Sequence, residues 1–557
     1  QVIGSIEWPN YRSQRWGSEH QTFVRPIRWI CALLGSDVVP VSYADVTSAG
    51  TTRGHRVLGA GDHKVESPAA YADVLRENGV LLEDERRAAI LDGVRKVEAE
   101  RPGCRVDTPK RTLDEVVNLC EWPTVLVGTF DEEFLKVPHE IICESMLSNQ
   151  RYFPIYDAEG NLTRVVSNAD PKVSATVVDG NERVVRARLD DAKFFYEEDL
   201  KVPMDEFVER LGTVVFQEKL GTVRQKVTRM EALAEAVAKA ANADERTCGL
   251  AKRAAHLAKA DLVSQAVVEF TNQQGVMGGY YAKAAGEPQE VCDAIREHYR
   301  PRFAGDELPS GLVGKCVAIA DKLDTVCGIF AINEPPTGSS DPFAVRRAAI
   351  GVIAMLRTLP AVHLRPLIEL ALASYAAQGI EFDAEAVASS VASFFQGRLA
   401  AIAKDEGIAP DAIEAVGAVG VIDPEEFVRR AAALDRARTE SPELFEDLAT
   451  AYARAAHLAN ASLGTKVDAD VLGDAEKSLL AACEEGEKAV SAALASGDFD
   501  AACEALAGLR GPIDRFFTDV LVMDPDPEVR DNRLRLLNRF ADVFGDVADI
   551  GALSKRK

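Results

Sequence analysis

No two of the ten cysteines stand in a CxxC spacing. Zinc-ribbon and dithiol chemistry therefore lack their ligand pattern, and scattered, reduced thiols fit a cytosolic protein. No uninterrupted apolar run approaches the roughly 18 residues that cross a bilayer. The start at Gln1 has no Met, no basic n-region and no apolar core of a signal peptide, and reads as a cut into a longer sequence. A phosphate loop of the form GxxxxGK followed by Ser or Thr is missing. Basic residues are in deficit: 64 Lys and Arg stand against 88 Asp and Glu, a formal charge of −24. Phosphate affinity comes from clustered Lys and Arg, so this balance argues against a protein that coats nucleic acid with its whole surface. Local basic stripes stay open, because net charge speaks to solubility more than to any one face.

What is present is an ordinary globular composition, 47% hydrophobic and 27% charged over 557 residues, enough for roughly three to five domains. The first half reads as mixed. Strand-like runs occur at Thr124–Val127, Leu162–Val166 and Ala175–Val178, with the turn residues Asp157–Asn161 between two sheet candidates. Ser67-Pro68 ahead of Tyr71, Val74 and Leu75 signals a helix start. From about Met204 the chain turns alanine-rich with a 3.6-residue apolar period. Asn333–Pro342 breaks that helical part. In the last segment, Asp526-Pro527-Glu528 reads as N-cap, proline at the first helical position and an acid near the positive helix end. Leu534, Leu537, Phe540 and Phe544 follow at helical spacing, and this face is expected to pack on the preceding helix through Phe516, Val520 and Leu521. Arg530, Asn532 and Arg533 are expected off the apolar stripe.

Phe516–Met523, Arg530–Leu537 and Val547–Ile550 together resemble the helical anticodon-binding domain shared by arginyl-tRNA synthetases and glycyl-tRNA synthetase beta subunits. The resemblance implies contact with unstacked bases, which a protein can stack on and hydrogen-bond at their Watson–Crick edges. The candidates are Arg515, Arg530, Asn532, Arg533 and Arg535. The competing reading pairs Arg530, Arg533 and Arg535 with Asp526, Glu528 and Asp531 in surface ion pairs. In the middle of the chain, Ala254–Leu262 and Ala318–Asp324 look like two signatures of an HD-type helical domain, whose metal-dependent members hydrolyse phosphoesters. Ala260 stands where the metal-binding His belongs, and only Asp261 and Asp321 match. Two carboxylates make a poor transition-metal site, so a degenerate HD fold with no metal is expected. Between these signatures, Glu297–Pro309 alternates aromatic and basic residues, a pattern suited to a single-stranded RNA end. His298, Arg300 and Arg302, with Lys315 and Lys322 beyond, are the acceptor-arm candidates; a structural crossover is the alternative.

Phe23–Trp29, Thr51–Arg56, Glu121–Pro123, Asn149–Pro154, Gly180–Leu189, Phe194–Leu200, Gln274–Gly278 and Asp341–Ala348, together with Arg15-Trp16-Gly17, are similar to glycyl-tRNA synthetase beta subunits in the same order along nearly the whole chain. The resemblance implies an N-terminally truncated beta subunit of an alpha-2 beta-2 ligase. It would bind glycine tRNA, with ATP, magnesium and glycine activation in the alpha subunit and no cofactor in this chain. HIGH-like, KMSKS-like and class II activation motifs are missing here. The expected fold is multidomain α+β in five parts: residues 1–155, resembling the editing-type domain of phenylalanyl-tRNA synthetase beta; 156–205, β-rich; 206–350, HD-like; 351–435, a helical linker; 436–557, the helical anticodon-binding bundle. No membrane and no DNA partner is expected. Arg53, His55 and Arg56 read equally as an anion cluster or a loop with ion pairs. Arg183, Arg186 and Arg188 are expected to alternate on a strand. A metal-dependent phosphohydrolase and a structural scaffold for a partner subunit are the rival functions.

Overall fold

Four short stretches of the first half pair into one antiparallel sheet in the computed structural model of the chain: β1 (Arg105–Val106), β2 (Thr124–Gly128), β3 (Phe153–Tyr156) and β4 (Leu162–Ala169), in spatial order β1-β3-β4-β2. The structure describes residues 2–6, 15, 17–160, 162–169 and 174–555; Trp16 and Asn161 of the motifs above lie outside them. Two of the strand-like runs are strands, β2 and β4; the turn at Asp157–Gly160, in which the Gly160 amide donates to the Asp157 carbonyl at 3.1 Å, joins β3 to β4. The helices α1 (Glu83–Ala99) and α2 (Lys110–Val117) bury Ile90, Val94, Val97, Leu113, Val116 and Val117 with Val106, Phe153 and Ile155 of the sheet.

The third run is not a strand. Ala175–Val178 opens a 25-residue helix, α3 (Ala175–Asp199), whose N-cap Ser174 accepts from the Val177 amide. Thr176, Val177 and Val178 favour strands by their branched side chains, but Val185, Leu189 and Ala192 recur at helical spacing and are fully buried, and that burial decides. Arg183, Arg186 and Arg188 therefore do not alternate on a strand. Arg183 pairs with Asp179 one turn back at 2.8 Å, and Arg186 with Asp131 at 3.1 Å. In the Thr51–Arg56 stretch, Arg53 pairs with Asp62 at 2.9 Å, and the buried His55 accepts the Val57 and Leu58 amides on Nδ1. Thr51–Arg53 is itself a short strand paired with Asp62–Lys64, so Arg53 sits in an ion pair across a hairpin.

Two compact units make up the chain: Gln1–Lys201 with Glu269–Gln273, and Val202–Val268 with Gln274–Lys557. The second is helical apart from one two-stranded hairpin among the described residues. Its helices include α4 (Met204–Arg210), α5 (Val223–Ala240), α6 (Glu245–Leu257), α7 (Leu312–Ala331), α8 (Val345–Leu356), α9 (Leu364–Ala377), α10 (Ala384–Asp405), α11 (Pro442–Leu458), α12 (Asp474–Ser496), α13 (Arg510–Asp519) and α14 (Pro527–Gly545). Helix α7 is apolar on nearly every side, from Val313 to Ala331, as befits a helix enclosed by others; α5, α6, α8, α9 and α10 pack around it. The breaker at Asn333–Pro342 separates α7 from α8. Helix α10 is long and apolar enough to cross a membrane by composition, but Ala388, Val391, Phe395, Leu399 and Ala403 give it one buried face, which packs on its neighbours.

The ion pairs between these helices include one made by a histidine. His256 on α6 lies 2.8 Å from Glu231 of α5 through Nδ1 and 2.9 Å from Asp205 of α4 through Nε2. The hydrogen bond to Glu231, ahead of the opposing effect of burial, lifts its pKa above the ordinary 6.5. A raised histidine contributes stability that is fully present below about pH 6.5 and lost as pH rises through the folded-state pKa. His256→Gln is therefore expected to destabilise the protein by on the order of 1 kcal/mol at pH 6, with the difference shrinking toward pH 9. Urea melts of both proteins across that range measure it; a difference that grows with pH would exclude a charged His256.

Candidate nucleic-acid interface

The C-terminal helix α14 starts as its sequence dictates: Asp526 caps it by accepting the Glu528 amide at 2.9 Å, and Pro527 fills the first position. Leu534, Leu537, Phe540 and Phe544 are buried. Their partner is different from the one expected. The face packs on α11 and α12, and α13, carrying buried Phe516, packs on those same two helices. Leu521 is exposed, and Val520 ends α13.

The polar residues of α14 divide into two sets. Asn532 is buried, on the packed side of the helix and not off it. Its Oδ1 accepts the Asp468 amide at 2.8 Å and its Nδ2 donates to the Asp468 carbonyl at 3.0 Å. Asn538, which sequence reasoning passed over, does the same for Asn460 and also donates to Gly464 at 2.8 Å. The two asparagines pin the 459–473 connection to α14. Arg533 is mostly enclosed: it pairs with Glu476 at 2.5 Å and Asp524 at 2.7 Å and donates to the Leu521 carbonyl at 2.9 Å. It thereby ties down the Val520–Asp526 loop, which displays Leu521 and Met523 to solvent. Arg535 donates to the Leu463 carbonyl at 3.3 Å. Arg515 is exposed, 3.5 Å from Asp519, and Arg530 is half-buried, 3.6 Å from Asp531.

The acceptor-arm candidates divide in the same way. His298 is fully buried, with Nδ1 2.6 Å from the Ile295 carbonyl; burial pushes its pKa well below the ordinary value, aided by the Lys259 charge. Lys322 is buried on α7 and donates to the carbonyls of His298, Tyr299 and Arg300 at 3.1, 3.2 and 2.8 Å. Burial lowers its pKa to about 8 against the pull of Asp321. These two hold the crossover together and offer no surface to a ligand. Arg300 pairs with Glu307 at 3.1 Å, Arg302 with Asp306 at 3.3 Å, and Lys315 bonds the Thr358 hydroxyl at 3.0 Å; Phe303 between them is exposed.

Asp261 and Asp321 do not form a metal-ligand pair. Asp261 Oδ2 accepts the amides of Gly275 at 2.6 Å and Gly278 at 2.9 Å, which explains both glycines: Gly275 has φ +81°, and a Cβ on Gly278 would lie 2.8 Å from Ile295 and 3.1 Å from that oxygen. Burial raises the Asp261 carboxyl to about 6 despite these bonds. Asp321 is held instead by ammonium groups, Lys259 at 2.8 Å and Lys226 at 3.1 Å. Burial pushes its pKa up, but the two lysines outweigh it and hold the carboxyl well below the usual range. Lys259 in turn sits 3.8 Å over the Tyr299 ring. No group of three or more His, Cys, Asp or Glu side chains able to hold a metal ion occurs among the described residues. The residues present do not fit a divalent ion, and the phosphohydrolase alternative has no support in them.

A neighbouring buried network went unnoticed in the sequence. Asp324 of α7 receives Arg229 at 2.7 and 3.1 Å, Lys226 at 3.1 Å and the Tyr375 hydroxyl at 3.1 Å, and the Arg229 guanidinium lies 4.0 Å over the Tyr375 ring. Its signal was the Asp321/Asp324 spacing on an otherwise apolar helix, since buried charges are paired.

The helical module fits a known class. Residues 448–550 match a DALR anticodon binding domain, so the chain carries an anticodon-binding-type bundle beside its other domains. Residues 1–418 match the glycyl-tRNA synthetase beta subunit family. The glycine–tRNA ligase beta subunit of Moorella thermoacetica is 41% identical over 560 residues, covering 99% of this chain and 80% of the relative. Those of Marinobacter nauticus and Vibrio cholerae are 40% and 39% identical, covering 98% of this chain and 79% and 80% of theirs. The chain belongs to the glycyl-tRNA synthetase beta subunit family.

Proposed function

We propose that this chain is the tRNA-holding subunit of a glycine–tRNA ligase, working in the cytoplasm in an alpha-2 beta-2 assembly with an alpha subunit that carries ATP, magnesium and glycine activation. The observation that carries the reading is the folded α11–α14 bundle within a stretch matching an anticodon-binding domain. Arg515, Arg530 and Arg535, beside the displayed Leu521 and Met523, are the anticodon-side candidates. Arg300, Arg302 and Lys315 are the acceptor-side candidates, on a degenerate HD-type core without hydrolase chemistry. Neither a membrane nor DNA is a partner in this reading, and the five-part domain division goes with it, with the correction that residues 156–205 are not β-rich: α3 takes up half of them. Holding the tRNA accelerates the reaction by orientation: a 3′ end delivered to the partner's activated glycine makes the transfer effectively unimolecular.

The purified chain is expected to bind glycine tRNA and to give no glycine-dependent pyrophosphate exchange until the alpha subunit is added. Robust exchange by this chain alone would overturn the division of labour.

A further inference from the structure

The Asp341–Ala348 stretch, part of the family resemblance, spans the start of α8. Asp341 caps α8: its carboxylate oxygens accept the amides of Val345 at 2.8 Å and Arg346 at 3.0 Å, after Ala344 turns through φ +53°. This launches α8 with Arg346 and Arg347 on its first turn. Helix α10 packs on α8 and contributes Arg398, whose guanidinium lies 4.4 Å over the Phe394 ring. Phe394 is itself braced by Phe330 of α7, with ring centroids 5.2 Å apart.

Several arginines elsewhere in the second unit are neutralised. Arg357 meets Glu406 and Glu425, Arg365 meets Glu369 and Glu385, Arg430 meets Glu426, and Arg438 meets Asp411. Arg346, Arg347 and Arg398 are different: none forms an ion pair or a side-chain hydrogen bond among the described residues. Arg346 and Arg398 are half-buried and feel each other. Burial first, and then the Arg346 charge, make Arg398 easier to deprotonate, and Asp341 offsets only part of this. In a chain of charge −24, an acid to relieve such a pair would be easy to supply. Two cations without a carboxylate partner on adjacent packed helices, one of them held over an aromatic ring, are suited to an anion from outside. Guanidinium forks suit phosphate oxygens bidentately. A polyanion approaching so acidic a protein gains most where cations are unpaired, because it does not have to break an internal ion pair first.

We propose that Arg346, Arg347 and Arg398 form a phosphodiester-binding patch for the tRNA backbone, apart from the anticodon bundle. This rests on the tRNA-holding reading. Phe394 braces the Arg398 guanidinium, and the capped turn at Asp341 sets Arg346 on the first turn of the helix that α10 packs against. Contacts to backbone phosphates would be indifferent to sequence and would set the register of the tRNA on the chain.

The test measures tRNA binding by the complete chain assembled with its alpha subunit, as a function of salt, for wild type, an Arg346→Gln/Arg347→Gln/Arg398→Gln variant and the corresponding triple lysine variant. The slope of log affinity against log salt is expected to flatten by about 0.7 to 0.9 for each lost phosphate contact, and affinity to fall roughly thirtyfold near 0.15 M salt for two contacts. Lysines should restore most of the slope. The glutamine variant should unfold near the wild-type temperature, since loss of the Arg398–Phe394 contact is offset by relief of like-charge repulsion; a clearly lower midpoint would show that the arginines serve the fold instead. Wild-type slope and affinity in the glutamine variant would overturn the patch and leave the tRNA-holding reading intact. A wild-type complex that fails to bind tRNA at all would overturn both. Loss of assembly with the alpha subunit while tRNA binding persists would assign the patch to an acidic protein surface and overturn it as an RNA site.

Discussion

Replacing Asp324 by alanine is expected to destabilise the helical unit by about 3 to 5 kcal/mol. The carboxylate is fully buried and is the shared counter-charge of Arg229 and Lys226. Removing it strands two cations in a core from which water is excluded, and leaves the Tyr375 hydroxyl with only the Asp324 backbone carbonyl, 3.0 Å away, from that residue. Asp321 takes up part of the Lys226 charge at 3.1 Å, but among the described residues no second carboxylate pairs with Arg229, whose other side-chain partners are Gln378 and Tyr375. The damage belongs to the unpaired cations more than to the lost contact, because taking charges out of water nearly cancels their attraction. Replacing Asp324, Lys226 and Arg229 together by apolar residues of similar volume is therefore expected to recover most of the loss. Urea unfolding of the single and triple variants, followed by helical circular dichroism, checks both statements. A triple variant as unstable as the single one would mean that the network acts through its geometry and not through its charges.

The network also shows where sequence reading stopped. Local signals were legible: Asp526-Pro527 marked the start of α14, the Asn333–Pro342 breaker ended α7, and the apolar stripe of α14 named its buried face. Each depends on residues within a turn or two of one another. Ala175–Val178 failed because three β-branched residues outweighed, locally, a helical burial pattern that becomes visible only ten residues later. The partner of α14 failed because chain neighbours are the default packing guess, whereas α13 and α14 both lie on α11 and α12. Asn532, His298 and Lys322 look like surface residues by type. Each is consumed by backbone groups, at Asp468, Ile295 and residues 298–300, and only the tertiary path brings those groups within reach. Burial of a polar side chain against backbone leaves no spacing in the sequence. The family resemblance supplied the role of the chain, but it could not separate arginines that face a ligand from arginines that hold a loop.

That separation gives the other large expectation. Arg533→Ala should cost about 2 to 4 kcal/mol, because Glu476 is buried at the start of α12 and keeps only the Gly473 amide, 2.6 Å away, as a donor. The same change cuts the Val520–Asp526 loop free of α14 at both Leu521 and Asp524. Arg515→Ala with Arg530→Ala should leave stability within about 0.5 kcal/mol, since each guanidinium has only a loose carboxylate partner near the surface. If those two arginines meet the anticodon, the double variant instead lowers kcat/KM of the assembled ligase by about 10- to 100-fold, the range expected for a lost charged hydrogen bond, with less discrimination against tRNAs altered at the anticodon cytosines. Melting curves and aminoacylation kinetics on the same preparations distinguish the two kinds of arginine. Arg533→Ala should lower both readouts, and its kinetic defect should ease at low temperature, where the loop is held by its remaining contacts. The Arg515/Arg530 variant should lower the kinetic one alone. A double variant that aminoacylates altered and native tRNAs in the wild-type ratio would remove both residues from the anticodon interface and leave Arg535 with the displayed Leu521 and Met523 as its remaining candidates.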